Sequence, residues 1–222
     1  MSIMVFFELS PPWFLGIDAA LEASFAVITF LVALLAFGMY KRTSHSWTRI
    51  FGFSFLLISV SYLIQSIFNF LTISSLHEQI CVAVRFNSIA TFQALGLLTH
   101  IILMTMGLSM LLYTTLKDKR LRTLWLLLAV AFGAIFFSNN VVYMFYLIST
   151  IYLAFISWHF LLNYHRKRKT MTLLVAAAFI LLFIGSFHFV ISVNHQLFYV
   201  VGHVLELIAY LLILANILLL RK

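Results

Sequence analysis

The sequence predicts an all-α, polytopic membrane protein: a single domain, residues 1–222, folded as a bundle of seven transmembrane helices with the N-terminus outside and the C-terminus inside. Three observations carry this. The chain is 64% hydrophobic and 9% charged, where a soluble domain carries about 25% charged residues. Its mean hydropathy of +1.11 leaves too little polar surface to clothe a soluble globule. The apolar runs exceed strand length and lack a two-residue alternation, so helices rather than a barrel satisfy the backbone in lipid. Finally, of the 14 Lys and Arg residues, all but Arg85 collect at alternate ends of the runs. They are Lys41, Arg42 and Arg49; Lys117, Lys119, Arg120 and Arg122; Arg166 to Lys169; and Arg221 with Lys222. Basic residues in short loops stay on the cytoplasmic side, which sets the orientation.

The elements follow in order. The first helix is expected over Trp13–Tyr40, after Pro11 and Pro12, where proline is tolerated. It is too long for a signal-peptide core, has no basic residues before it and contains Asp18 and Glu22, so it reads as a retained span. The second is expected over Ile50–Leu71, then a polar outer loop with His77, Glu78 and Arg85. The third begins between Ala90 and Ala94 and ends at Leu116. The fourth, Leu121–Ser138, is the shortest. Asn139 and Asn140 form a tight turn before a fifth helix over Val141–Tyr164. The sixth covers Thr170–Val193, and Asn194, His195 and Gln196 turn into the last, Leu197–Leu220. Each span needs about 20 residues to cross roughly 30 Å of hydrocarbon. Trp13, Trp47, Trp125 and Trp158 fall near the two interfaces, as aromatic belts do. The run Arg166–Lys169 reads as a stop-transfer anchor with affinity for anionic lipid.

Composition also narrows the partners. The net charge of +8 is spread over four cytoplasmic segments, so the positive-inside bias accounts for it and nucleic acid is not expected. Cys81 stands alone in the sequence and offers no intrachain disulfide. Membrane lipids are the expected surroundings.

The polar residues within the spans point to function. An ionisable side chain in a span costs about 2.5–3.5 kcal/mol on insertion scales and faces the bundle interior. Asp18, Glu22, Gln65, Asn69, Gln93, His100, His188, His203 and Glu206 all fall toward the outer side. Of the ionisable groups only His159 is expected in the inner half, with neutral Asn216 for company. Asp18 and Glu22 are four apart, and His203 and Glu206 three apart, so each pair shares a helix face. Tyr210 lies a turn beyond Glu206. A rise of about 1.5 Å per residue puts Glu22 and Glu206 at similar depths, roughly 12–14 Å in. Ala19, Ala20, Ala23, Ser24, Ala26 and Gly202 would let helices approach closely.

Six of these, Asp18, Glu22, His100, His188, His203 and Glu206, are therefore expected to line one pocket. His100, His188, His203 and Glu206 are the candidate metal ligands, for zinc, iron or copper, with manganese also suited to such a donor set. Asp18, Glu22, Gln93 and Tyr210 are the candidate ligand-binding residues. A bis-histidine haem, His100 with His203 or His188, ranks behind a bare metal ion. The competing reading is interhelical hydrogen bonding, which is what Gln65 and Asn69 suggest. His159 reads as snorkelling to its interface. His45, His77, His165 and His195 read as loop residues. The sequence has no CxxCH, HExxH, Walker or GxSxG motif, and the last helix has no lysine for a Schiff base.

Two segments resemble a known family. Phe198-Tyr-Val-Val-Gly-His-Val-Leu-Glu-Leu-Ile-Ala-Tyr210 is similar to the final helix of membrane-associated sensor domains, the multi-helix input modules of bacterial and archaeal histidine kinases and diguanylate cyclases. Gly202, His203 and Tyr210 match that pattern. Asp18-Ala-Ala-Leu-Glu22 resembles the family's opening helix, and Glu22 matches. Asp18 stands where the family has His, and Glu206 where it is often basic. The resemblance implies a sensor or ligand-binding module, here without a fused kinase or cyclase, that signals through a separate protein or as a homo-oligomer. A metal- or haem-dependent enzyme or redox protein is the alternative. A transporter or proton pathway ranks third, because the inner half offers only His159 as an ionisable group and no repeat or broken helix is evident.

Overall fold

The computed structural model describes residues 11, 13–77, 82–116, 118, 120–192 and 195–221. Of the residues named above, Pro12, Glu78, Cys81, Lys117, Lys119, Val193, Asn194 and Lys222 lie outside them. Seven helices make up the described residues: α1 (Leu15–Thr43), α2 (Ser46–His77), α3 (Val82–Leu116), α4 (Leu121–Phe136), α5 (Val141–Lys167), α6 (Thr170–Ser192) and α7 (Leu197–Arg221). Six of them are long and apolar enough to cross a bilayer, which gives the chain the build of a multi-pass membrane protein. The exception is α4. Its 16 residues span roughly 24 Å at 1.5 Å per residue.

Several helices outrun their expected ends. The stretch read as a polar outer loop is largely helical: α2 continues to His77, and α3 already includes Arg85. Between Thr72 and Arg85 there is no Gly or Pro to stop either helix. His165 likewise belongs to the last turn of α5 with Arg166 and Lys167, where cations complement the carbonyl end of the dipole. α1 and α5 both stop on a left-handed residue that is not glycine. Ser44 (φ 53°) donates its N–H to Tyr40 O, and Arg168 (φ 50°) donates to Tyr164 O, each at 2.8 Å. The Asn139–Asn140 turn is present, and Asn140 caps α5 by accepting the Tyr143 N–H at 3.0 Å.

The long helices close into a ring. α1 packs on α2, α2 on α3, α3 on α5, α5 on α6, α6 on α7, and α7 back on α1. α4 sits outside, against α3 and α5, and buries only Ala131 and Ile135. Short connections make sequence neighbours antiparallel, so α1, α3, α5 and α7 begin at the same end of the bundle. At the other end the core holds no charged side chain among the described residues and is built mainly from Val32, Ala33, Phe55, Leu111, Ile156, Phe179 and Ile213, with the neutral Asn216 also buried there. The outward surface is apolar too: Phe70, Trp125, Val130, Phe155 and Trp158 are all exposed. Trp47 is instead half-buried against Tyr113.

Helix approach is set by small residues. Ala19, Ala26 and Ala33, spaced seven apart, are buried on one face of α1. α2 comes close enough for Ser66 to donate to Ala19 O and Ser59 to Ala26 O, both at 2.8 Å. Ala20 and Ser24, expected to share this role, are exposed instead. Between α6 and α7, a Cβ on Gly185 would lie 3.1 Å from the Gly202 carbonyl oxygen. A side chain there would have to push that carbonyl back by a few tenths of an ångström, so glycine favours the close approach beside His203.

Candidate functional site

His203 is the centre of a buried polar cluster at the end of the bundle where α1 and α7 begin. Its Nε2 lies 3.0 Å from Asp18 Oδ1 and its Nδ1 3.8 Å from Glu206 Oε2. The three side chains are all about 95% buried. Four rings surround the imidazole: Tyr199 at 4.5 Å, Phe189 at 4.9 Å, Phe25 at 5.8 Å and Phe14 at 6.1 Å between centroids. The 3.0 Å approach to Asp18 is an ion-pair contact in which the N–H direction misses the acceptor. Among the described residues, Asp18 Oδ1 and both His203 nitrogens therefore lack an aligned hydrogen bond.

Tyrosines and an amide hold the carboxylates. Tyr199 donates to Asp18 Oδ2 at 3.0 Å, and Tyr62 donates to Glu206 Oε2 at 3.2 Å. Tyr62 and Tyr210 share a hydroxyl–hydroxyl hydrogen bond of 3.2 Å. Asn69 Nδ2 donates to Glu22 Oε2 at 2.8 Å. His100 is fastened to α2 by Ser61, whose Oγ lies 2.8 Å from Nδ1 and 3.1 Å from the His100 carbonyl oxygen. Charge matching thus runs between Asp18 and Glu206 through His203. Glu22, expected at a depth similar to that of Glu206, is held by Asn69.

These residues border a central cavity of about 120 Å³. Each of the six ring helices contributes to its lining, and α4 contributes nothing. Asp18, Glu22, His100, His203 and Glu206 line it together with Gln93. Gln65 also lines it and keeps its Oε1 without a partner among the described residues.

Two candidates fall elsewhere. His188 is not part of the lining: its Nδ1–H donates to Ile184 O one turn back, at 2.7 Å, and its ring leans on Phe198. Tyr210 stands one residue behind the wall, reached through Tyr62. Among the described residues no three His, Cys, Asp or Glu side chains converge as a metal-ligand set. His188 turns away from the cavity, so of the histidines considered for haem only His100 and His203 border it. Sequence reasoning missed Tyr62, Tyr146 and Tyr199, and assigned Gln65 and Asn69 to helix packing alone. Tyr199 was findable, since it lies four residues before His203 on the same helix face.

No family model matches the chain, and neither the curated proteins nor the solved structures give a match.

Proposed function

We propose that this chain is a membrane-embedded receptor that binds a small polar ligand in the cavity at the centre of its helix ring and acts as a sensor. One observation carries the proposal: three buried carboxylates and two imidazoles border a cavity in which buried polar atoms lack partners. Buried polar groups are normally satisfied, and ionisable groups in a span mark a site by default. Interhelical adhesion alone does not need three carboxylates, because serines already serve that purpose at Ala19, Ala26 and Phe179. A ligand that supplies donors to the free acceptors completes the cluster. The separation of candidate metal ligands favours a small molecule over a directly coordinated ion.

The sensor element draws support from α1 and α7. Both carry cavity residues, and they are the helices that resemble the sensor modules. In this reading all seven helices span, with α4 as the shortest, and the N-terminus and cavity face outward in the cell membrane. Cysteines placed at Asn139 or Asn140 then react with an impermeant reagent from outside, and one at Arg120 does not.

Binding is tested by thermal unfolding of the full chain in nanodiscs against a panel of amines, carboxylic acids, sugars and divalent metal ions. A ligand present at 100 times its Kd stabilises the folded state by about 2.7 kcal/mol. The expected result is a saturable shift with one class, lost in Glu206→Gln. No shift with any class would contradict the proposal.

A further inference from the structure

We infer that the cavity takes a small protonated amine, an organic ammonium with N–H donors. The inference rests on the receptor reading above and names its ligand class. Charge comes first. The lining holds three carboxylates, Asp18, Glu22 and Glu206, and two imidazoles, His100 and His203, with no Lys or Arg. Three carboxylates thus outnumber two imidazoles, and no permanently charged cation stands in the lining to receive an anion in a low-dielectric interior, where charge interactions are strong. A cation is matched.

Hydrogen bonding narrows the class. Among the described residues Gln65 Oε1 has no partner, and Asp18 Oδ1 has only the misaligned contact with His203 Nε2 at 3.0 Å. A carboxylate only accepts when ionised, so the occupant must bring donors. A quaternary ammonium has none and would leave Asp18 Oδ1 as it is. A primary or secondary ammonium supplies two or three. The rings of Tyr62, Tyr146, Phe189 and Tyr199 complete the wall, and aromatic faces attract cations.

Size sets an upper limit. The cavity measures about 120 Å³, and an engineered cavity of about 150 Å³ holds benzene. The occupant therefore has about six non-hydrogen atoms or fewer. A directly bound metal ion fits less well. Zinc needs nitrogen or oxygen ligands at about 2.0–2.2 Å, and among the described residues no three His, Cys, Asp or Glu side chains converge as such a set.

The test is calorimetric titration of the full chain in nanodiscs at neutral pH with ethylammonium, tetramethylammonium, acetate and zinc. Ethylammonium is expected to bind saturably at one site per chain. Asp18→Asn and Gln65→Leu each weaken it at least tenfold, and tetramethylammonium binds at least tenfold more weakly than ethylammonium. Gln65→Leu adds no charge change, so it keeps the test decisive if Asp18→Asn does not fold. Failure of ethylammonium to bind, or binding unchanged in both variants, overturns the inference. If acetate or zinc binds instead and Glu206→Gln abolishes that binding, the ammonium class is wrong and the receptor reading stands. Silence from all four probes and from the wider panel above removes both.

Discussion

The two ends of the bundle are built from the same six helices and hold opposite cores. Where α1 and α7 end, Val32, Ala33, Phe55, Leu111, Ile156, Phe179 and Ile213 fill the centre without a charge. Where they begin, the centre holds Asp18, Glu22, His203 and Glu206, fixed by Tyr62, Tyr199 and Asn69 around a cavity. The apolar end shows what the ring needs to hold together: small residues, close helices and side chains that interlock. The polar end adds groups that each cost about 2.5–3.5 kcal/mol to insert. The proposal above assigns that difference between the ends to binding.

The largest expected effect comes from breaking the polar end asymmetrically. His203→Ala removes the group between Asp18 and Glu206 and leaves two facing carboxylates buried. A broken buried pair costs about 3–5 kcal/mol, read as lost equilibrium stability in mixed micelles. Adding Asp18→Asn and Glu206→Gln to that variant should recover most of the loss. No recovery would mean that the imidazole matters through packing against its four rings rather than through charge. Next is Gly185→Val at the α6–α7 contact, where a Cβ already meets the Gly202 carbonyl at 3.1 Å. Overpacking there should cost about 1–3 kcal/mol and shift His203, so it tests whether helix approach positions the site.

Much of the fold was legible. Helix number, order and most helix starts follow from apolar run length, and the polar layer follows from depth counted along each helix. Rotation about the helix axis was not legible. His188 lies at the right depth, yet the lining residues on α6 are Ser186 and Phe189. At about 100° per residue, two steps from Ser186 point away from the cavity. Lipid is as apolar as the core, so hydrophobic residues surround these helices and do not report which face is inside. Closure of the ring by α3 on α5, with α4 excluded, was hidden for the same reason. Asn69 was correctly read as a hydrogen bonder, but its partner, Glu22, lies 47 residues away in sequence.

Smaller effects belong to the ends of the helices, away from both cores. Arg168 holds a left-handed conformation (φ 50°) that costs an L-residue about 1 kcal/mol or more. Arg168→Gly should therefore stabilise the bundle by about 1 kcal/mol, with ligand binding unchanged. The smallest effect is at Asp118, which is half-buried before α4. Its carboxyl accepts from the Thr123 hydroxyl and, at 3.0 Å, from the Arg120 N–H. These hydrogen bonds hold its pKa below the ordinary carboxylate value. A lowered folded-state pKa contributes stability that is complete above the ordinary carboxylate range and is lost as pH falls through the lowered value. Amide exchange at Arg120, whose N–H the carboxylate holds, should rise over that acid range in the parent, and Asp118→Ala should show fast exchange there at every pH.

The central claim is that the polar end is kept for binding and not for stability. Its most direct test is the variant carrying Asp18→Asn, Glu22→Gln and Glu206→Gln, unfolded thermally in nanodiscs with and without ethylammonium beside the parent. Replacing buried charges by neutral groups of similar shape removes desolvation penalties. The variant is predicted to unfold at or above the parent's ligand-free temperature and to show no response to ethylammonium. A variant that unfolds well below the ligand-free parent, beside a parent that does not respond to ethylammonium or any other small molecule, would show that the cluster is structural adhesive and contradict the claim.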